Sequence, residues 1–140
     1  MSDIYVVYFS STGNTEEMAK HVADGIERKG GSPVLTEIGS VDPDRLKEAS
    51  AFALGCPACG AEELDESMET LIEEISGSLE GKHVGLFGSY GWGGGEWMHN
   101  WERDCRSSGI QLACDSVICN EAPDDAALAA CQALGKALVG

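Results

Sequence analysis

The chain has 140 residues, 43% of them hydrophobic, and a formal net charge of −15. That length supports one domain, residues 1–140, able to bury roughly two-thirds of the surface its unfolded form exposes. The charge excludes nucleic acid and anionic membrane surfaces as partners, because like charges repel. No apolar run approaches the ~20 residues of a membrane helix, and the acidic start Met1-Ser2-Asp3 lacks the basic region of a signal peptide, so a cytoplasmic location is expected.

Ile4 to Phe9 is continuously apolar, the pattern of a strand covered on both faces. Met18, Val22 and Ile26, supported by Ala19 and Ala23, then place an apolar stripe on a helix that stops at Gly30-Gly31. Pro33 to Ile38 reads as a second strand, and Ala51 to Gly55 as a third, with a short helix or turn at "VDPDRLKEA" between them. Met68, Leu71, Ile72, Ile75 and Leu79 mark a helix, and Lys82 to Gly88 a fourth strand. Trp97, Trp101 and Cys105 recur at four-residue spacing on a further helix, where packing is the expected role of both indoles. Leu112 to Ile118 reads as the fifth strand, and Leu128, Cys131, Leu134 and Leu138 as the last helix. Alternation of strand and helix predicts right-handed crossovers and a doubly wound α/β fold with helices on both faces of a parallel sheet.

In open sheets of this kind ligands bind beyond the carboxyl ends of the strands, and four unusual loops fall at that edge. The first, "SSTGNT", leads from a strand into a helix whose first turn offers unpaired N–H groups and the positive end of its dipole. Gly13 permits close backbone approach, and Ser10, Ser11, Thr12, Asn14 and Thr15 supply donors, so a phosphate fits without a lysine or arginine. Asn14 and Glu17 also fit a helix N-cap and its return partner, which leaves the hydroxyl cluster unexplained. The nucleotide-hydrolysing Gly-Lys-Ser/Thr and the dinucleotide Gly-x-Gly-x-x-Gly patterns are absent. The loop "SYGWGGGEW" sets Tyr90 and Trp92 among glycines, a setting suited to stacking on a planar ligand, with Trp92 the expected stacking partner.

The loop "CPACGAEE" has two readings. Cys56-Pro57-Ala58-Cys59 resembles a thioredoxin-like dithiol, with the Cys56 thiol acidified by a helix start; that reading needs a mixed sheet and a later cis-proline, and leaves the other loops idle. Alternatively Cys59-Gly60-Ala61-Glu62 is a tight turn in which glycine lets a peptide flip at low steric cost, with Glu62 accepting from a ligand N–H. The remaining cysteines, Cys105, Cys114 and Cys131 among them, are expected to be reduced, and those three to be small buried hydrophobes. The histidines share no metal or catalytic spacing.

Together the four loops resemble those of the flavodoxins over essentially the whole chain. "SSTGNT" is similar to the family's FMN-phosphate loop, while "LFGSYGWGGGEW" and "LGCPACGAEEL" are similar to the flavin loops of the short-chain clostridial type. The resemblance implies five parallel strands in the order 2-1-3-4-5 and one non-covalent FMN. Ser10, Ser11, Thr12, Gly13, Asn14 and Thr15 would then hold the phosphate. Trp92 would stack on the isoalloxazine, flanked by Ser89, Tyr90, Gly91 and Gly93. Pro57, Ala58 and Cys59 would line its other side, and Glu62 would accept from N3–H. The Gly60 carbonyl would turn toward N5, and Asn120 and Glu121 would border the site. Cys59 stands where close relatives usually carry methionine, its smaller thiol covering less of the ring, and a Cys56–Cys59 disulfide would lock the turn.

The implied function is a low-potential one-electron carrier moving between neutral semiquinone and anionic hydroquinone, rather than an enzyme. It would act as a monomer with redox partners that have basic docking surfaces, such as reductases or ferredoxin-dependent enzymes. Asp65, Glu66, Asp124 and Asp125 are the expected docking carboxylates. The alternatives on this reading are an FMN-dependent NAD(P)H:quinone reductase, a Cys56/Cys59 dithiol protein, and a receiver domain, which strand one contradicts by ending in serines.

Overall fold

The computed structural model of the protein describes residues 3–10, 13–59, 63–91 and 93–139. In chain order the elements are β1 (Asp3–Tyr8), α1 (Asn14–Arg28), β2 (Ser32–Glu37), α2 (Pro43–Glu48), β3 (Ala51–Gly55), α3 (Glu66–Ile75), β4 (His83–Tyr90), α4 (Glu96–Ser107), β5 (Gln111–Leu112), β6 (Val117–Asn120) and α5 (Asp125–Val139). All strand pairings are parallel, in the order β2-β1-β3-β4-β5, with β6 also paired to β4.

Alternation along each strand sorts the core into two halves. Val7, Phe52, Leu54, Val84 and Leu86 face Leu46, Met68, Leu71, Ile75, Trp97 and Trp101. Ile4, Val6, Tyr8, Ala53 and Phe87 face Met18, Val22, Ile26, Cys131 and Leu134. The sheet is thus covered by α2, α3 and α4 on one side and by α1 and α5 on the other. On that second side the helices meet at backbone distance, because a Cβ on Gly25 would lie 2.0 Å from the Gln132 carbonyl and one on Gly135 2.1 Å from the Val22 carbonyl. Neither position has room for a side chain.

The fifth strand differs from the sequence expectation. It is divided: His83 faces Gln111 while Phe87, four residues on, faces Val117, six residues on. The two extra residues leave the ladder with the polar pair Asp115 and Ser116, whose hydroxyl donates to Glu102 Oε2 at 2.7 Å. Cys114 therefore sits half-exposed, whereas Cys105 and Cys131 are buried as expected. The helix expected to reach Leu79 ends at Ile75, and a 3-10 turn over Ser76–Ser78 completes it. Serine and glycine are poor helix formers, and Leu79 still reaches the core at 2% exposure. The "VDPDRLKEA" stretch is a helix, started by Pro43 and by an Asp42 carboxylate that accepts from Asp44 N–H at 3.0 Å.

Gly135→Ala should separate α1 from α5 and lower the unfolding free energy by about 1–3 kcal/mol. Urea titration of the apoprotein checks this, and an unchanged midpoint would show that the two helices do not need their close approach.

Candidate functional site

The carboxyl ends of β1, β3, β4 and β6 share one edge, because Tyr8, Gly55, Phe87 and Val117 are aligned across the sheet. Each of the four loops therefore leaves from the same rim. Hydrogen bonds extend the ladder past the strands, from Phe9 N–H to Gly55 O at 2.9 Å, Cys56 N–H to Phe87 O at 3.1 Å and Ala58 N–H to Ser89 O at 3.0 Å.

The head of α1 is built to stay open. Its N-cap is Gly13, at φ 92°, without a side-chain cap. Asn14 is thus the first helical residue rather than the cap expected from the sequence. Ser10 takes the capping role from further back, its hydroxyl accepting from Gly13 N–H at 3.1 Å and Glu16 N–H at 3.3 Å. Among the described residues none accepts from the N–H groups of Asn14 or Thr15. Two donors at the positive end of a helix dipole, unmatched among the described residues, are suited to an anion. Thr15 is 1% exposed, and its hydroxyl lies 3.2 Å from that of Ser89, itself 4% exposed, tying this turn to the end of β4. The hydroxyl of Tyr8 donates to Glu16 Oε2 at 3.2 Å; burial, then that carboxylate, pushes the ionisation of Tyr8 upward. No lysine or arginine occurs in the four loops.

The second loop leaves the sheet at Cys56. Pro57 and Ala58 are buried, and Cys59 is half-buried. Cys59 and Glu63 exchange two backbone bonds, 2.9 and 2.8 Å, as an isolated antiparallel bridge. Both thiols, Cys56 and Cys59, donate to the Pro57 carbonyl at 3.5 Å, and both are free. The dithiol reading expected an acidified Cys56, and the structure corrects it. Burial pushes that thiol up to about 12, although the Asp65 N–H it accepts at 3.5 Å pulls the other way. Cys59 is also raised, chiefly by burial and then by Asp65.

Leading into the third loop, the last β4 residues Ser89 and Tyr90 are buried and half-buried, and beyond them Gly91 and Gly93 are exposed. In the fourth, Asn120 and Glu121 are exposed, with Glu121 N–H donating to Tyr90 O at 2.7 Å. Glu121 has φ 59°, and no other described non-glycine residue has a positive φ. Such strain costs on the order of 1–3 kcal/mol and collects at ligand sites. No sequence signal marked it, because glutamate carries none for that conformation. Of the expected positions, Ser11, Thr12, Gly60, Glu62 and Trp92 lie outside the described residues. The structure brings Ser10, Gly13, Asn14, Thr15, Pro57, Ala58, Cys59, Ser89, Tyr90, Gly91, Gly93, Asn120 and Glu121 to one rim.

The carboxylates around that rim have structural partners too. Asp65 caps α3, accepting from Ser67 N–H at 3.0 Å and from the Ser67 hydroxyl. Asp124 accepts from Ala127 N–H at 2.8 Å at the head of α5. Glu66 and Asp125 are exposed.

An open parallel sheet with a helix head of two donors unmatched among the described residues after its first strand, ringed by three further loops, is an arrangement suited to a phosphorylated ligand at the strand tips. The chain belongs to the flavodoxin family, whose pattern matches residues 6–135. It is 38% identical to a flavodoxin of Megasphaera elsdenii over 96% of both chains. It is 43% identical to one of Clostridium beijerinckii over 86% of this chain and 88% of that one. The solution structure of two-electron reduced Megasphaera elsdenii flavodoxin superposes with a TM-score of 0.88, covering 97% of this chain and 98% of the other at 37% identity.

The raised thiols make stability fall in alkali. Cys56, Cys105 and Cys131, each pushed up to about 12 by burial against an ordinary 9.0, stay protonated when folded but ionise on unfolding. Their contribution is intact below about pH 9 and is lost as pH rises toward 12. Urea midpoints of the apoprotein should therefore fall steadily as pH rises above the ordinary 9.0 of the unfolded thiols toward 12. A level profile would mean that these thiols ionise as easily folded as unfolded.

Proposed function

We propose that this chain, as one domain over residues 1–140, is a one-electron carrier that holds FMN non-covalently at the tips of β1, β3, β4 and β6. The observation that carries this is the pair of N–H groups at Asn14 and Thr15 that find no acceptor among the described residues, set in a cation-free hydroxyl loop of a flavodoxin-family fold. Hydrogen bonds to a charged group contribute about 1.5–3 kcal/mol each, so two backbone donors with the hydroxyls of Ser10 and Thr15 can retain a phosphate dianion that no side chain neutralises. Bound FMN supplies two successive one-electron steps.

The protein's part is to position the ring and set its electrostatics. Ser11 and Thr12 complete the phosphate loop in this reading. Trp92, Tyr90, Gly91 and Gly93 cover one side of the ring, Pro57, Ala58, Cys59, Gly60 and Glu62 the other, and Ser89, Asn120 and Glu121 close the rim. The surrounding charge then acts on the second electron. One unscreened carboxylate about 10 Å away, at an effective dielectric of about 20, costs about 1.7 kcal/mol, roughly 70 mV for one electron. At a net charge of −15, several such groups outweigh any single hydrogen bond in setting that potential.

The same charge defines the partners as proteins with basic docking surfaces, reductases or ferredoxin-dependent enzymes. They would meet the acidic rim of Asp65, Glu66, Asp124 and Asp125. No helix among the described residues is long and apolar enough to cross a membrane, and the proposed carrier is a cytoplasmic monomer.

Purified protein should show a flavin spectrum and release FMN on denaturation, and anaerobic reductive titration should give two one-electron midpoints. Raising ionic strength should raise the second midpoint, because screening weakens the repulsion. Absence of flavin after reconstitution with FMN would reject the cofactor, a midpoint indifferent to salt would reject the electrostatic account, and fast direct reduction by NAD(P)H would make the protein a reductase.

A further inference from the structure

We infer that Trp97 is a positioning residue for the flavin: its indole N–H fixes where the 56–63 loop leaves the sheet and couples that loop to the one that follows β4. The assignment rests on the FMN reading above.

Cys56 is the first residue beyond β3, and its N–H still follows the ladder to Phe87 O. In a regular parallel ladder its carbonyl would accept from Ser89 N–H. Here that carbonyl accepts instead from Trp97 Nε1 at 3.0 Å, with Cys56 wholly buried and Trp97 1% exposed. The turn toward α4 needs space, and Gly88 provides it, since a Cβ there would lie 2.1 Å from the Cys56 oxygen and 3.3 Å from the Trp97 ring. The same indole meets Tyr90, the last residue of β4 from which the next loop departs, the two rings lying 5.5 Å apart at 52°. One side chain thus holds both loops that would sandwich the ring. A buried donor–acceptor pair of this kind is costly to break, because the carbonyl would be left without a partner.

Trp101, one turn further along α4, is a built-in reference. It is equally buried, at 2% exposure, but its Nε1 has no hydrogen-bond partner among the described residues. The same substitution at the two sites removes a partnered donor in one case and an orphaned donor in the other. General loss of aromatic packing should affect both alike, whereas the anchoring role belongs to Trp97 alone.

Trp97→Phe and Trp101→Phe are compared with wild type, first as apoproteins by amide hydrogen exchange. The N–H groups of Ala58 and Cys59, held by Ser89 O and Glu63 O, should exchange about three- to tenfold faster in Trp97→Phe and within about twofold of wild type in Trp101→Phe. FMN titration should then give a dissociation constant about three- to tenfold higher for Trp97→Phe only. In the same variant the equilibrium constant of the first one-electron step should fall at least about threefold, with the second unchanged, since the loop's pose rather than the net charge is altered. Identical exchange, affinity and first-step equilibrium in the two variants would overturn the inference. Wild-type protein that binds no FMN would instead overturn the underlying reading, with exchange at Ala58 and Cys59 still deciding whether Trp97 anchors the loop. Should Trp97→Phe fail to fold, benzothienylalanine at position 97 keeps the ring area without the N–H, and the same outcomes decide.

Discussion

The N–H groups at the start of α1 impose the constraint around which the rest of the site is arranged. A helix head needs acceptors for its first donors, and here Gly13 replaces the usual capping side chain while Ser10 satisfies only Gly13 and Glu16. Two donors remain unmatched within the described residues, at the edge of the sheet where the four loops after β1, β3, β4 and β6 converge. An external anion is the natural acceptor. Its binding has to overcome the protein's own negative charge, and the balance favours it because direct hydrogen bonds to a charged group act at contact distance while the carboxylates act across solvent.

The loops that surround this head are held by long-range contacts rather than by their own sequences. Thr15 and Ser89 join the first to the third, Glu121 N–H and Tyr90 O join the third to the fourth, and Trp97 joins the second to the third from beneath. The positive φ of Glu121 is the strained member of this set. Strain is tolerated there because the bond to Tyr90 O fixes the residue's N–H at 2.7 Å. The rim is consequently a cooperative structure, so a change at one loop should be felt at its neighbours.

Much of the fold was legible because local physics and topology agree: continuous apolar runs gave the buried strands, four-residue spacing gave the helices, and parallel crossovers then required the loops to share an edge. What the sequence concealed depends on contacts between distant residues. The two-residue excursion at Asp115–Ser116 follows from register against β4, which the apolar residues at the two ends of the Leu112 to Ile118 stretch do not encode. Asn14 looked like a cap because asparagine commonly serves as one, yet the φ of Gly13 moved the cap back by one residue. The Cys-Pro-x-Cys spacing suggested an acidified thiol, but burial of Cys56 acts on it more strongly than any helix start. Trp97 read simply as packing because its helical spacing is that of a core residue, and the second use of its N–H is visible only once Cys56 is seen beside it.

A helix head that demands an anion assigns most of the ligand's binding selectivity to a phosphate rather than to the ring. Calorimetric titration of the apoprotein with FMN and with riboflavin, which differ only by that phosphate, measures this directly. The account requires riboflavin to bind at least about a hundredfold more weakly, the loss of two charge-assisted hydrogen bonds. Equal affinity for the two would contradict it.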